Sequence, residues 1–110
     1  MYLKLRQNKY GNVKQNGYDS KKESAYAQEL ELRKRMGEIK DFEGQVKIEL
    51  FGENGTRVCN YFIDFVVTHN DGTLEYIEVK GFETPVWRLK WKLFEDKYGH
   101  DSTKRLTLIK

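Results

Sequence analysis

The segment Tyr61-Phe62-Ile63-Asp64-Phe65-Val66-Val67 is apolar on both of its alternating faces except at Asp64. Side chains of a strand point alternately to its two sides, so this strand has to be central in a sheet that is covered on both faces. A small sheet flanked by helices meets that demand. At 110 residues there is room for one domain of this kind.

The flanking sequence supplies the other elements. From Ser20, a good N-cap, Ala27, Leu30, Leu32 and Met36 recur among charged residues as in a helix, and Gly37 is its stop signal. Gln45 to Leu50 alternates polar and apolar residues, the period of a half-buried strand, and Glu53-Asn54-Gly55-Thr56 turns the chain toward the central strand. Asn70-Asp71-Gly72 makes another turn before a strand from Thr73 to Lys80, which predicts an antiparallel meander. Pro85 opens a second helix reaching Tyr98, with Trp87, Trp91, Phe94 and Tyr98 as its packing stripe and Gly99 as its end. Arg105 to Ile109 reads as a last strand. The expected fold is α/β, a small mixed sheet flanked by helices in the order α-β-β-β-α-β, over residues 19–110. Residues 1–18 lack sustained periodicity and read as a basic, flexible arm.

Charge is spread unevenly behind the net value of +3. Six cations meet the single Asp19 in residues 1–22, and seven meet four acids in residues 82–110, while residues 23–81 hold seven cations and twelve acids. Basic ends around an acidic centre suit a protein that grips phosphates at its periphery and holds cations in its middle. Solvated surface charge gives the same profile. Cys59 is the only cysteine, so no internal disulfide forms, and with His69 and His100 it makes no zinc-ligand spacing. Without a leader or a membrane-length apolar run, a cytoplasmic, intracellular protein is expected.

A lone carboxylate inside an apolar strand costs several kcal/mol if buried without a partner, so Asp64 calls for a cation, either a metal ion or a nearby Lys or Arg. Glu78 and Lys80, two apart on a strand, emerge on one face with the Val79 backbone carbonyl between them. Alone they read as a solvated strip. The short turn between their strands, however, lets Glu78 sit beside Asp64, and two adjacent carboxylates need a cation or a shared proton. Glu23 shares a helical face with Ala27 and Leu30, which directs it at the sheet, although Ser20-Lys21-Lys22-Glu23 is also a capping box. Glu29 belongs with the solvated face. Gln45, at the start of its strand, is a candidate to orient a water or an acid. Arg88, Lys90 and Lys92 alternate with the core-facing Trp87 and Trp91 and are expected to face outward, where they join Lys21 and Lys22 as candidate phosphate contacts.

Taken in order, Tyr18-Asp19-Ser20-Lys21-Lys22-Glu23, Tyr61-Phe62-Ile63-Asp64-Phe65 and Ile77-Glu78-Val79-Lys80-Gly81 resemble the three signature segments of the PD-(D/E)xK nuclease superfamily. Within it they look most like small phage-encoded endonucleases, including the Holliday junction resolvases. Ile63 stands where the pattern has Pro. The resemblance implies a restriction-endonuclease-like core and a Mg2+-dependent endodeoxyribonuclease, with Mn2+ able to substitute and a 5'-phosphate product. It implies a catalytic set of Glu23, Asp64, Glu78 and Lys80, with the metal held by Asp64, Glu78 and the Val79 carbonyl and with Glu23 serving a second ion. One site per chain implies a homodimer for cutting two strands or two junction arms. A structure-selective enzyme acting on branched DNA in phage recombination, replication or packaging is the leading expectation. A sequence-specific or nicking subunit of a larger complex and an inactive DNA-binding module remain as alternatives, and neither a membrane nor a small-molecule cofactor is called for.

Overall fold

Helix α1 (Tyr18–Arg35) ends where the sequence places its stop. Gly37 takes a φ of +80°, which a residue without Cβ adopts at no steric cost, and the N–H groups of Gly37 and Glu38 bond back to the carbonyls of Lys34 and Arg33. Residues 18–110 are described by the structure, a computed structural model. All of the basic arm but Tyr18 therefore lies outside the described residues. Because α1 already includes Tyr18, Ser20 lies inside the helix and is not its N-cap, so the capping-box role of Glu23 does not arise. The buried stripe of α1 is Glu23, Ala27 and Leu30; Leu32 and Met36, expected in the core, are instead 53% and 65% exposed.

Four strands follow the order β1 (Asp41–Phe51), β2 (Arg57–Thr68), β3 (Leu74–Val79) and β4 (Lys104–Ile109), and they are neighbours in that same order. The first two pairings are antiparallel and β3 pairs with β4 in parallel, which makes the sheet mixed. Helix α2 (Pro85–Tyr98) spans the crossover between β3 and β4. Thr84 caps it by accepting a hydrogen bond from the Trp87 N–H at 3.1 Å, with Pro85 in the first turn. At its end a Cβ on Gly99 would lie 2.5 Å from the Glu95 carbonyl oxygen, so close approach rather than a left-handed backbone requires the glycine.

The helices cover opposite faces of the sheet, each over its own apolar cluster. Trp87, Trp91 and Phe94 of α2 pack on Ile48, Leu50, Tyr61, Ile63 and Tyr76. Ala27 and Leu30 of α1 pack with Ile39, Phe65, Val67, Ile77 and Val79. In an unbroken strand Ile63 and Phe65 would share a face. Here Ile63 faces α2 and Phe65 faces α1, and β1 makes the same exchange between Val46 and Phe42. Both strands thus switch faces at one place, where Gln45 and Asp64 lie opposite each other between the pairs Gly44–Phe65 and Val46–Ile63. Gln45 has a φ of 53°, the one left-handed non-glycine among the described residues. The switch explains why β2 reads as apolar on both sides. No helix among the described residues is long and apolar enough to cross a membrane.

Candidate active site

Asp64 marks the point where the central strands part. Pairing between β2 and β3 runs from Thr68–Leu74 to Phe65–Ile77 and stops one residue short of Asp64 and Glu78. Beyond it the Asp64 carboxylate replaces the ladder: Oδ2 accepts the Val79 N–H at 2.8 Å, and Oδ1 accepts from Gln45 Nε2 at 3.0 Å. The same Gln45 nitrogen donates to Glu23 Oε2 at 3.2 Å. One amide therefore ties a carboxylate of α1 to a carboxylate of β2. Residue 79, whose carbonyl was expected in a metal shell, is held directly against Asp64.

Glu78 points to the other side of β3, under α2. Its oxygens accept from the Tyr61 hydroxyl at 2.9 Å and from the Trp87 indole N–H at 3.1 Å, and that indole also donates to the Tyr61 oxygen at 3.2 Å. Lys80 Nζ lies 3.9 Å from Glu78 Oε2 and 5.1 Å from the centre of the Trp87 ring, so one carboxylate and one π face hold the ammonium. Burial pushes the Glu78 carboxyl up to about 7, against the opposing pull of Tyr61, Lys80 and Trp87, and the charge of Glu23 adds to the rise. Burial and the Glu78 charge also raise the Tyr61 hydroxyl.

An acid whose pKa is higher in the folded than in the unfolded chain holds an extra proton when folded. Its contribution to stability therefore falls as pH rises from the unfolded value of 4.5 through about 7. Replacing Glu78 with Gln is expected to raise the Tm by several degrees at pH 8 and to change it little at pH 4.5. Thermal unfolding at both pH values measures this, and equal shifts would contradict it.

Glu23, Asp64 and Glu78 are all buried, at 8%, 7% and 3% exposure. Glu78 has the Lys80 ammonium beside it and Glu23 and Asp64 share the Gln45 amide, and carboxylates so withdrawn from water favour a hard cation. Among the described residues no group of three or more His, Cys, Asp or Glu side chains is gathered tightly enough to enclose an ion. An ion here would have to be taken by one or two carboxylates and completed by water and phosphate.

The candidate phosphate contacts divide. Lys21 is exposed and Lys22 half-buried, one turn or less from Glu23. Lys92 is exposed, and Arg88 is exposed while bonded to Glu83. Lys90, expected to face outward, is half-buried and donates to the Asn60 carbonyl at 3.1 Å, because its place on α2 turns it onto β2. Tyr61 and Trp87 were read as core alone. The available signal was their polar atoms, since a buried hydroxyl or indole N–H needs an acceptor and Glu78 lies on the same face of the sheet.

Over residues 4–109 the sequence matches a family described as protein of unknown function (DUF1064). No curated protein and no solved structure matches the chain.

Proposed function

The chain belongs to the DUF1064 family, proteins of unknown function, and on that premise we propose from its site that it is a metal-dependent DNA endonuclease hydrolysing phosphodiester bonds. The observation that carries this reading is the burial of three acids where β2 and β3 part, Glu23 and Asp64 joined through Gln45 and Glu78 paired with Lys80. Burying three acids costs stability that packing does not require, which is the mark of a site kept for chemistry. The resemblance of the Asp64 and Glu78-Val79-Lys80 segments to the PD-(D/E)xK signature supports the same reaction. The substrate on this reading is DNA recognised by its shape, such as branched or junction DNA, cut by a homodimer presenting two sites.

Asp64, Glu78 and the Val79 carbonyl would hold one Mg2+ or Mn2+, and Glu23 with Asp64 would hold a second. Such an ion supplies charge at the scissile phosphate and lowers the pKa of water. Lys80 neutralises charge gathering on the phosphate as the attacking oxygen arrives, and its two contacts keep the ammonium in place beforehand. Asp64, by holding the Val79 N–H, fixes the start of the Glu78-Val79-Lys80 segment relative to β2. Lys21, Lys22, Arg88 and Lys92 would supply phosphate contacts, so affinity should fall steeply with salt.

The test is nicking of supercoiled DNA and of a four-way junction by the full chain, with Mg2+, with Mn2+ and with chelator. Cleavage is expected with either cation and none with chelator, and Lys80→Ala should lose about a hundredfold or more in rate. Preference for the junction over linear duplex selects the structure-selective form. Cation-independent cleavage, or equal cleavage by Lys80→Ala, would overturn the reading.

A further inference from the structure

Gln45 carries a role that the reaction scheme does not use. Both acceptors of its side chain are carboxylate oxygens, so the end facing them has to be the NH2 group. A single nitrogen thereby sits between Glu23 and Asp64, two buried acids on different elements. The backbone at this residue is left-handed, with a φ of 53°, in the middle of a strand. A non-glycine residue persists in that conformation only where its surroundings impose it, and such strain concentrates at functional sites. Here it coincides with the face switch of β1 and β2, and it aims Gln45 between the two acids.

We propose that Gln45 is a positioning residue whose amide stands in for a divalent cation between Glu23 and Asp64, and gives way when the ion binds. The inference rests on the metal-site reading above and adds what holds the two acids before the ion arrives. An NH2 group offers partial positive charge to both carboxylates, which is what a cation offers more strongly, and the two cannot occupy one place. Ion binding therefore costs the wild type two charge-assisted hydrogen bonds. The arrangement keeps α1 tied to β2 in the ion-free protein and sets a threshold for loading.

The test uses the full chain without DNA and Mn2+ as the probe, with Gln45→Met and Gln45→Ala as variants. Methionine keeps the length of the side chain and removes the amide, and with it the NH2 donor. Titration calorimetry is expected to show Mn2+ binding the Met variant about tenfold more tightly than the wild type, since the bonds displaced are to charged groups. Thermal unfolding is expected to show the variants less stable than the wild type in chelator and close to it in saturating Mn2+. Gln45→Ala should behave alike, so the inference does not hang on one variant's folding. Unchanged affinity, or a stability deficit that persists with Mn2+, would make Gln45 merely structural and overturn the proposal. Weaker binding would make it a ligand and overturn the proposal too. If wild type binds Mn2+ and cuts DNA while the variants bind no more tightly, only this inference falls; if neither wild type nor variants bind Mn2+, the metal-site reading falls with it.

Discussion

Replacing Asp64 with Asn is expected to lower DNA cleavage by about a thousandfold or more while leaving a folded protein. The change preserves volume and removes one charge from a group of three buried acids, so electrostatic relief offsets part of what is lost. The loss comes from geometry. Both Asp64 oxygens accept hydrogen bonds, one from the Val79 N–H and one from Gln45 Nε2. An asparagine keeps one oxygen, and its NH2 then faces another donor. If it faces Gln45, that amide has to turn and Glu23 loses its bond as well. A misplaced donor of this kind costs about 1–3 kcal/mol, and for a domain of this size the net effect should be a Tm lowered by several degrees, not an unfolded chain. Cleavage is expected to suffer far more, because the carboxylate charge that would attract the cation is gone. Thermal unfolding and a nicking assay on one preparation separate the two effects. Cleavage within tenfold of wild type would remove Asp64 from the reaction.

Phe94→Ala is expected to destabilise the fold by about 3–5 kcal/mol. Its side chain is fully buried, and its ring centre lies 4.9 Å from Tyr98, 5.3 Å from Tyr76, 5.4 Å from Tyr61 and 5.7 Å from Trp91. Removing the ring takes away the centre of an aromatic cluster that joins α2 to β2 and β3, at a cost that is a large part of the stability of a small domain. The site is affected in turn, because α2 carries the Trp87 that bonds Glu78 and lies under Lys80. Leu89→Ala on the same helix is the control: Leu89 is 63% exposed and its loss should cost well under about 1 kcal/mol. Urea unfolding of both variants measures the difference, and equal costs would contradict the way α2 is packed.

Much of this architecture was legible in the sequence for definite physical reasons. Proline at the start of α2, glycines after both helices and the apolar run around Asp64 are local signals, and the element order follows from them. Strand lengths were not legible. β1 begins at Asp41 rather than Gln45, and β2 at Arg57 rather than Tyr61. The alternation that marks a half-buried strand breaks where the faces exchange, so the first part of β1, on the far side of Gln45, carries a pattern of its own and includes Gly44. Ser20 misled because a good N-cap residue can equally lie within a helix when the chain before it is already helical. Leu32 and Met36 misled because α1 buries so narrow a stripe that apolar residues off it stay exposed.

The site was legible in its acids and not in what holds them. Asp64 stands out as a charge in an apolar strand and Glu23 as an acid on the packing face of a helix, while Glu78 and Lys80 stand out only through the short turn that joins their strand to that of Asp64. Gln45 did not stand out as a link between two acids, because its position depends on a left-handed backbone that no local residue preference signals. Tyr61 and Trp87 as partners of Glu78 depend on α2 folding back over the sheet, a long-range contact.

The most direct test of the central claim, that these acids and Lys80 form a cation-dependent phosphodiesterase site, is the end chemistry of nicked supercoiled DNA. Chelator-treated wild type and Lys80→Ala would each be supplied with Mg2+ and the nicks labelled. The account predicts nicks from the wild type only after the cation is added, bearing 5'-phosphate and 3'-hydroxyl ends, and almost none from Lys80→Ala. Intact plasmid with the wild type at every cation concentration, or the same nicks from both proteins, would contradict it.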